Sequence, residues 1–140
     1  MILESALLCL ALNVFHESRG EPIAVQQAVA QVTMNRAKQD QNNVCKEVFR
    51  SHQFSWANKI SKTDRKDVHK VVAQRIKKPN GQEWQRSLKI AEQAIQGNFY
   101  AKFKGATHFY NIKTDNPVWK HRLIHVARAG PFMLMKIRET

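Results

Sequence analysis

This chain predicts an α+β domain, mainly helical with a small antiparallel sheet, and three observations carry that reading. Apolar residues recur at helical spacing through most of the stretch before Gly97. From Ala106 onward the texture changes to short runs of strand formers bounded by turn residues. A length of 140 residues with 43% apolar content is enough for one compact domain with one core, so residues 1–140 are read as a single domain. Helices first and strands afterwards are the order of an α+β fold.

Ile2 to Phe15 reads as a mostly buried helix. Its apolar run, Ser5 to Leu12, has no basic residue before it and no small-residue cleavage site after it, so it is expected to be a core helix and not a signal peptide. It is also too short to span a bilayer. Gly20 and Pro22 break the pattern, and Pro22 suits the first turn of a second helix. In that helix Val25, Ala28, Val29, Val32 and Arg36 fall near one stripe, and it should end near Lys38. Val44 to Arg50 suggests a short helix, and His52-Gln53-Phe54-Ser55-Trp56 a loop. Asp64 to Lys77 is amphipathic, with Val68, Val71, Val72 and Ile76 inward. Pro79-Asn80-Gly81 is a turn signal. Trp84, Leu88, Ala91 and Ile95 then mark the clearest helix, with Gly97 as its C-terminal cap. Strands are expected over Ala106 to Asn111, Leu123 to Ala127 and Phe132 to Ile137, the last two joined across Gly130-Pro131.

Lys and Arg outnumber Asp and Glu by 23 to 11, a formal charge of +12. That excess predicts an anionic partner: nucleic acid, anionic lipid, lipopolysaccharide or an acidic cell-wall polymer. No helix-turn-helix, zinc-finger or RNP pattern is present. Cys9 and Cys45 form no C-x-x-C pair and no metal-ligand spacing. Cys9 lies in an apolar helical stretch, so it is expected to be a buried free thiol.

The stretch that carries chemistry is His16-Glu17-Ser18-Arg19-Gly20-Glu21-Pro22. Glu17 closes an apolar helix, against the negative end of the helix dipole and beside Val14 and Phe15. A carboxyl group so placed has its pKa raised, and a protonated acid near neutral pH is what glycosidic cleavage requires. Glu21, next to Pro22, also fits an acidic first-turn residue. Zinc is the rival reading. His16-Glu17 begins like H-E-x-x-H, but Gly20 stands where the second His belongs. His121 and His125 are four apart, in a segment whose texture is that of a strand, so no metal site is expected. There is no G-x-S-x-G, no P-loop and no G-x-G-x-x-G, so neither a serine nucleophile nor a nucleotide cofactor is expected. Phe54, Trp56, Phe109, Tyr110 and Trp119 are accompanied by Gln53, Ser55, His108, Asn111 and Asn116. Mixed aromatic and amide sets of this kind can line a sugar groove. For Phe109 ordinary packing is the better reading.

Several blocks, taken together, resemble a known family. They are Glu17-Ser18-Arg19-Gly20-Glu21-Pro22, Gln27 to Arg36 (QAVAQVTMNR), Cys45-Lys46-Glu47-Val48, Gln53-Phe54-Ser55, Gly105 to Tyr110 (GATHFY), Trp119 and Gly130-Pro131-Phe132. Their identity and order are similar to the catalytic domain of the spore-cortex-lytic-enzyme type of cell wall hydrolase. The resemblance implies a lysozyme-like fold and cleavage of peptidoglycan glycan strands at the bond between N-acetylmuramic acid and N-acetylglucosamine. It implies Glu17 as the catalytic acid; no cofactor is expected, and a monomer is the default. On this reading Tyr110 is expected to orient the acid or the substrate, and Glu21, Gln53, Phe54, Ser55, His108, Asn111 and Trp119 are the candidates along the substrate. Such enzymes are often lytic transglycosylases that leave a 1,6-anhydro end. One carboxyl group serves that reaction, whereas a hydrolytic muramidase wants a second. Glu21 is too close in sequence to be an opposite-face partner, and no other acid sits in a suggestive block. Three departures stand out: Ser18 replaces a common Ala, His16 precedes Glu17, and the late G-x-H-x-F pattern lacks its His. A bare basic catalytic domain without a signal looks like a phage endolysin, made in the host cytoplasm and acting on the wall after release. The competing hypothesis is a basic nucleic-acid-binding module, whose affinity would fall steeply with salt and ignore Glu17.

Overall fold

The computed structural model describes residues 2–50 and 78–138. Four α-helices precede a three-stranded sheet among these residues: α1 (Glu4–Ser18), α2 (Ile23–Arg36), α3 (Val44–Val48), α4 (Gln82–Ile95), then β1 (His108–Asn111), β2 (Leu123–Ala129) and β3 (Phe132–Ile137). The expected α+β class with its small antiparallel sheet is what is seen. The amphipathic segment expected over Asp64 to Lys77 lies outside the described residues, as do Gln53, Phe54, Ser55 and Trp56. No described helix is long and apolar enough to cross a membrane.

α1 is buried on nearly every side, with Ala6 and all residues from Cys9 to Phe15 in the interior, so it is the central helix of the core. It runs three residues beyond the expected Phe15, which places Glu17 inside its last turn. There Ser18 Oγ donates to the Val14 carbonyl at 2.8 Å and the Arg19 N–H to the Phe15 carbonyl at 3.1 Å. Gly20 then takes φ +82°, a value glycine adopts without steric cost, and the chain turns into α2.

α2 is also largely internal, and its polar residues are spent on anchoring. The Asn13 amide donates to Thr33 Oγ1 (3.1 Å), tying α1 to α2. The Gln31 side chain pairs with both backbone groups of Tyr100, at 3.0 and 2.9 Å. Asn35 Nδ2 donates to the Ala106 carbonyl (2.8 Å) and Arg36 Nη1 to the Thr107 carbonyl (2.7 Å). These bonds fix the stretch from Tyr100 to Thr107 that feeds β1. Arg36 Nε also meets Glu47 Oε1 at 2.8 Å, and both side chains are nearly buried. The QAVAQVTMNR block is thus a seam between α2 and the start of the sheet.

The two cysteines correct the expected free thiol. Cys9 and Cys45 are joined in a disulfide, with Cα atoms 5.3 Å apart. α1 and α3 pack directly on one another, so two residues distant in sequence meet at bonding distance. Linear spacing cannot show this, since it depends on how α3 folds back on α1.

α4 presents Trp84, Ser87, Ile90, Ala91 and Ala94 to the core, with Leu88 and Ile95 packed at its margin. Gly97, at φ +91°, ends it, and the Asn98 N–H closes back on the Gln93 carbonyl at 3.0 Å. The sheet order is β1-β3-β2, antiparallel throughout. Register aligns Phe109, Leu134 and Ala127 across the sheet on the core side, and Phe109 packs on Phe132 at 5.1 Å, as expected for a packing residue. Tyr110, Met133 and Arg128 align on the other face. At the β2–β3 turn the backbone presses on α2: a Cβ on Gly130 would stand 2.7 Å from Val25 Cγ2.

Candidate active site

Glu17 sits at the carboxyl end of α1, partly buried. The neighbouring turn is held in place rather than left loose. Phe15 meets Trp84 edge-on at 6.0 Å, the Arg19 guanidinium lies over the Phe15 ring at 4.7 Å, and the Gly20 N–H donates to Glu83 Oε2 at 3.3 Å. No hydrogen bond or ion pair reaches the Glu17 carboxyl group from any described residue. Burial raises its pKa first and the negative charge of Asp115 raises it further, together pushing it up to about 7. A carboxylic acid poised there holds its proton in a large fraction of molecules at neutral pH and can both give and take it.

Asp115 was not legible in the sequence. It lies in the turn after β1, exposed, with its carboxylate fixed by two local donors. The Asn111 N–H reaches Oδ2 at 3.2 Å and Thr114 Oγ1 reaches Oδ1 at 3.3 Å. Its own N–H returns to the Asn111 carbonyl at 2.8 Å. The sequence showed no other acid in a suggestive block, yet the charge of Asp115 acts on Glu17. A turn just past the end of a strand was the available signal, but nothing in Thr114-Asp115-Asn116-Pro117 says which helix end the turn faces.

Asn111 is committed to building this turn, its side-chain oxygen accepting from the Lys113 N–H at 2.9 Å. Glu21 lies across the α1–α2 turn beside the β2–β3 hairpin, with Oε2 3.9 Å from where a Gly130 Cβ would be. Its carbonyl accepts from Gln26 Nε2 at 2.9 Å. The turns at Ser18–Glu21, Ile112–Asp115 and Gly130–Pro131 converge at one end of the sheet, the last two linked by the Ile112 N–H on the Pro131 carbonyl at 2.9 Å.

The aromatic candidates form a second group. Trp119 touches the His108 ring (5.2 Å) and the Tyr110 ring edge-on (5.7 Å), and Lys120 Nζ stands 6.0 Å from the Tyr110 centroid. His108 shares a 2.9 Å contact with Thr107 Oγ1. Its pKa is lowered, by burial first and by the Arg36 charge second, which favours a neutral ring at neutral pH. The structure brings His108, Tyr110 and Trp119 together and brings Asp115 near Glu17. It places no hydrogen bond or ion pair between Glu17 and Tyr110 or Glu21. Gln53, Phe54 and Ser55 lie outside the described residues. No group of three or more His, Cys, Asp or Glu side chains suited to a metal ion occurs among the described residues.

Comparison with known proteins yields one finding. A family model described as Cell Wall Hydrolase matches residues 20–133. The matched span contains Glu21, the whole QAVAQVTMNR block, His108, Tyr110, Asp115 and Trp119, and it begins three residues after Glu17. Neither the curated proteins nor the solved structures contain a match.

Proposed function

We propose, from the premise that this chain belongs to the cell wall hydrolase family and is a peptidoglycan-degrading enzyme, that Glu17 is its general acid and base. The bond cut is the β-1,4 link between N-acetylmuramic acid and N-acetylglucosamine. One observation carries the assignment: a carboxyl group in the last turn of a buried helix, unpartnered among the described residues and poised near pH 7. Glu17 protonates the glycosidic oxygen as the bond breaks and positive charge builds at the anomeric carbon. In the transglycosylase form, the sugar's own 6-hydroxyl closes onto that carbon and gives its proton to Glu17, leaving a 1,6-anhydro end. Tyr110 orients the substrate, with Trp119 and His108 beside it.

Asp115 favours a second reading. A carboxylate close enough for its charge to act on Glu17 can stabilise the oxocarbenium-like transition state or activate a water, giving hydrolysis and a reducing end. Mass spectrometry of muropeptides released from purified peptidoglycan separates the two. Anhydro-muramyl products that vanish with Glu17→Gln support the transglycosylase. Reducing ends that vanish with both Glu17→Gln and Asp115→Asn support hydrolysis. Unchanged release by folded Glu17→Gln overturns the assignment of the acid. The same proposal places the enzyme as a phage endolysin, its +12 charge drawing it to lipopolysaccharide or an anionic wall polymer after release. Binding to such polymers should weaken as salt rises.

A further inference from the structure

A recess that Glu17 does not line lies between α2, α4 and the segment after α4. It is a shallow, open hollow lined by Gln27, Gln93, Asn98 and Tyr100 together with Ala30, Ile90 and Ala94. None of Glu17, Asp115, Tyr110 or Trp119 lines it. We propose that this recess is a second saccharide site, taking one neutral N-acetylhexosamine ring of a glycan strand. The proposal rests on the reading that glycan strands are the substrate.

Three features point to that ligand. The first is Tyr100, an exposed aromatic residue whose backbone is anchored. Tyr100 is 45% exposed and Phe99 39%, yet buried Gln31 spends both ends of its amide on the Tyr100 backbone. The ring also packs edge-on against Phe103 at 6.2 Å. An aromatic side chain on an anchored backbone loses less conformational freedom when a sugar face stacks on it. The second is a set of amides: the side chains of Gln27, Gln93 and Asn98 make no hydrogen bond to described residues, leaving donors and acceptors for hydroxyl and acetamido groups. The third is charge. In a chain of +12 the recess is lined by no ionisable acid or base apart from the Tyr100 phenol. An anionic peptide stem or teichoic phosphate would call for Lys or Arg, whereas an uncharged sugar does not.

The test is NMR titration of the intact protein with chitotetraose, following the side-chain amide signals of Gln27, Gln93 and Asn98, with maltotetraose as control. Expected are saturable shifts at those amides with chitotetraose alone, and affinity for that site reduced roughly tenfold by Tyr100→Ala. Gln93→Ala, on the helix surface, should weaken it as well and keeps the test intact if Tyr100→Ala folds poorly. Silent amides, equal shifts with maltotetraose or unchanged affinity in both variants overturn the site. Wall cleavage persisting in Glu17→Gln while the amides still shift would sink the catalytic reading and leave the recess standing. Cleavage lost in Glu17→Gln with silent amides would do the reverse.

Discussion

Glu47 and Glu17 are both carboxyl groups drawn out of water, and the molecule treats them in opposite ways. Glu47, 6% exposed, faces two cations: Arg36 at 2.8 Å and Arg50 at 3.5 Å. Through Arg36 it connects to the Thr107 carbonyl and so to the start of β1. Glu17 has no cation within bonding distance among the described residues, and the charge that acts on it is the like charge of Asp115. In a chain with 23 Lys and Arg, leaving one partly buried acid without a cation among the described residues is a local matter of geometry. The first carboxylate holds the fold together. The second keeps a proton available.

The sharpest way to break this contrast is Glu17→Gln. If the acid is chemical, glycan cleavage should fall about 10²- to 10⁴-fold with the fold intact, measured as dye release from labelled peptidoglycan. Next in size is Arg36→Met, which strands Glu47 in the interior with one distant partner and frees the Thr107 carbonyl. It should cost about 3 kcal/mol in urea unfolding, because removing one partner leaves an uncompensated buried charge.

Glu17→Gln should also act on stability, with the opposite sign to Arg36→Met. Below pH 4.5 the wild-type side chain is neutral both folded and unfolded. Between there and about 7 the unfolded chain ionises while the folded one keeps its proton, so wild-type stability falls as pH rises. Above the folded value the loss is complete. The Gln variant escapes it and should be more stable by about 2 kcal/mol at pH 8, with no such gain at pH 4. A gain of equal size at both pH values would mean that Glu17 is strained rather than poised. The smallest effect is expected from Asp115→Asn. Removing that negative charge lowers the Glu17 pKa, so the alkaline limb of the pH–rate profile moves to lower pH. A rate at the optimum that holds marks Asp115 as a tuner, and a collapsed rate marks it as the second carboxylate of hydrolysis.

The contrast also explains what could be read from the sequence. Glu17 was legible because its abnormality is local: an acid at the wrong end of an apolar helix is visible in a few consecutive residues. The helices and the three strands were legible for the same reason, since their periods are properties of short windows. Asp115 and the Cys9–Cys45 bridge were not, because each depends on two distant segments meeting. The roles of Gln31, Asn35 and Arg36 were half-legible. Their block was distinctive, but that its amides and guanidinium hold the backbone leading into β1 appears only once the sheet is seen against α2.

The Cys9–Cys45 bridge bears on how any of these measurements is prepared. It ties the helix that carries Glu17 to α3 across a sequence separation of 36 residues, which contributes about 4 kcal/mol on loop-closure grounds. In a domain of this size that corresponds to roughly 10 °C of melting temperature. Protein harvested from a reducing cytosol and protein allowed to oxidise are then two samples of one sequence with different heat tolerance. A variant compared across them would carry the state of its thiols into every number, so the bridge should be counted by thiol titration before the first melt is run.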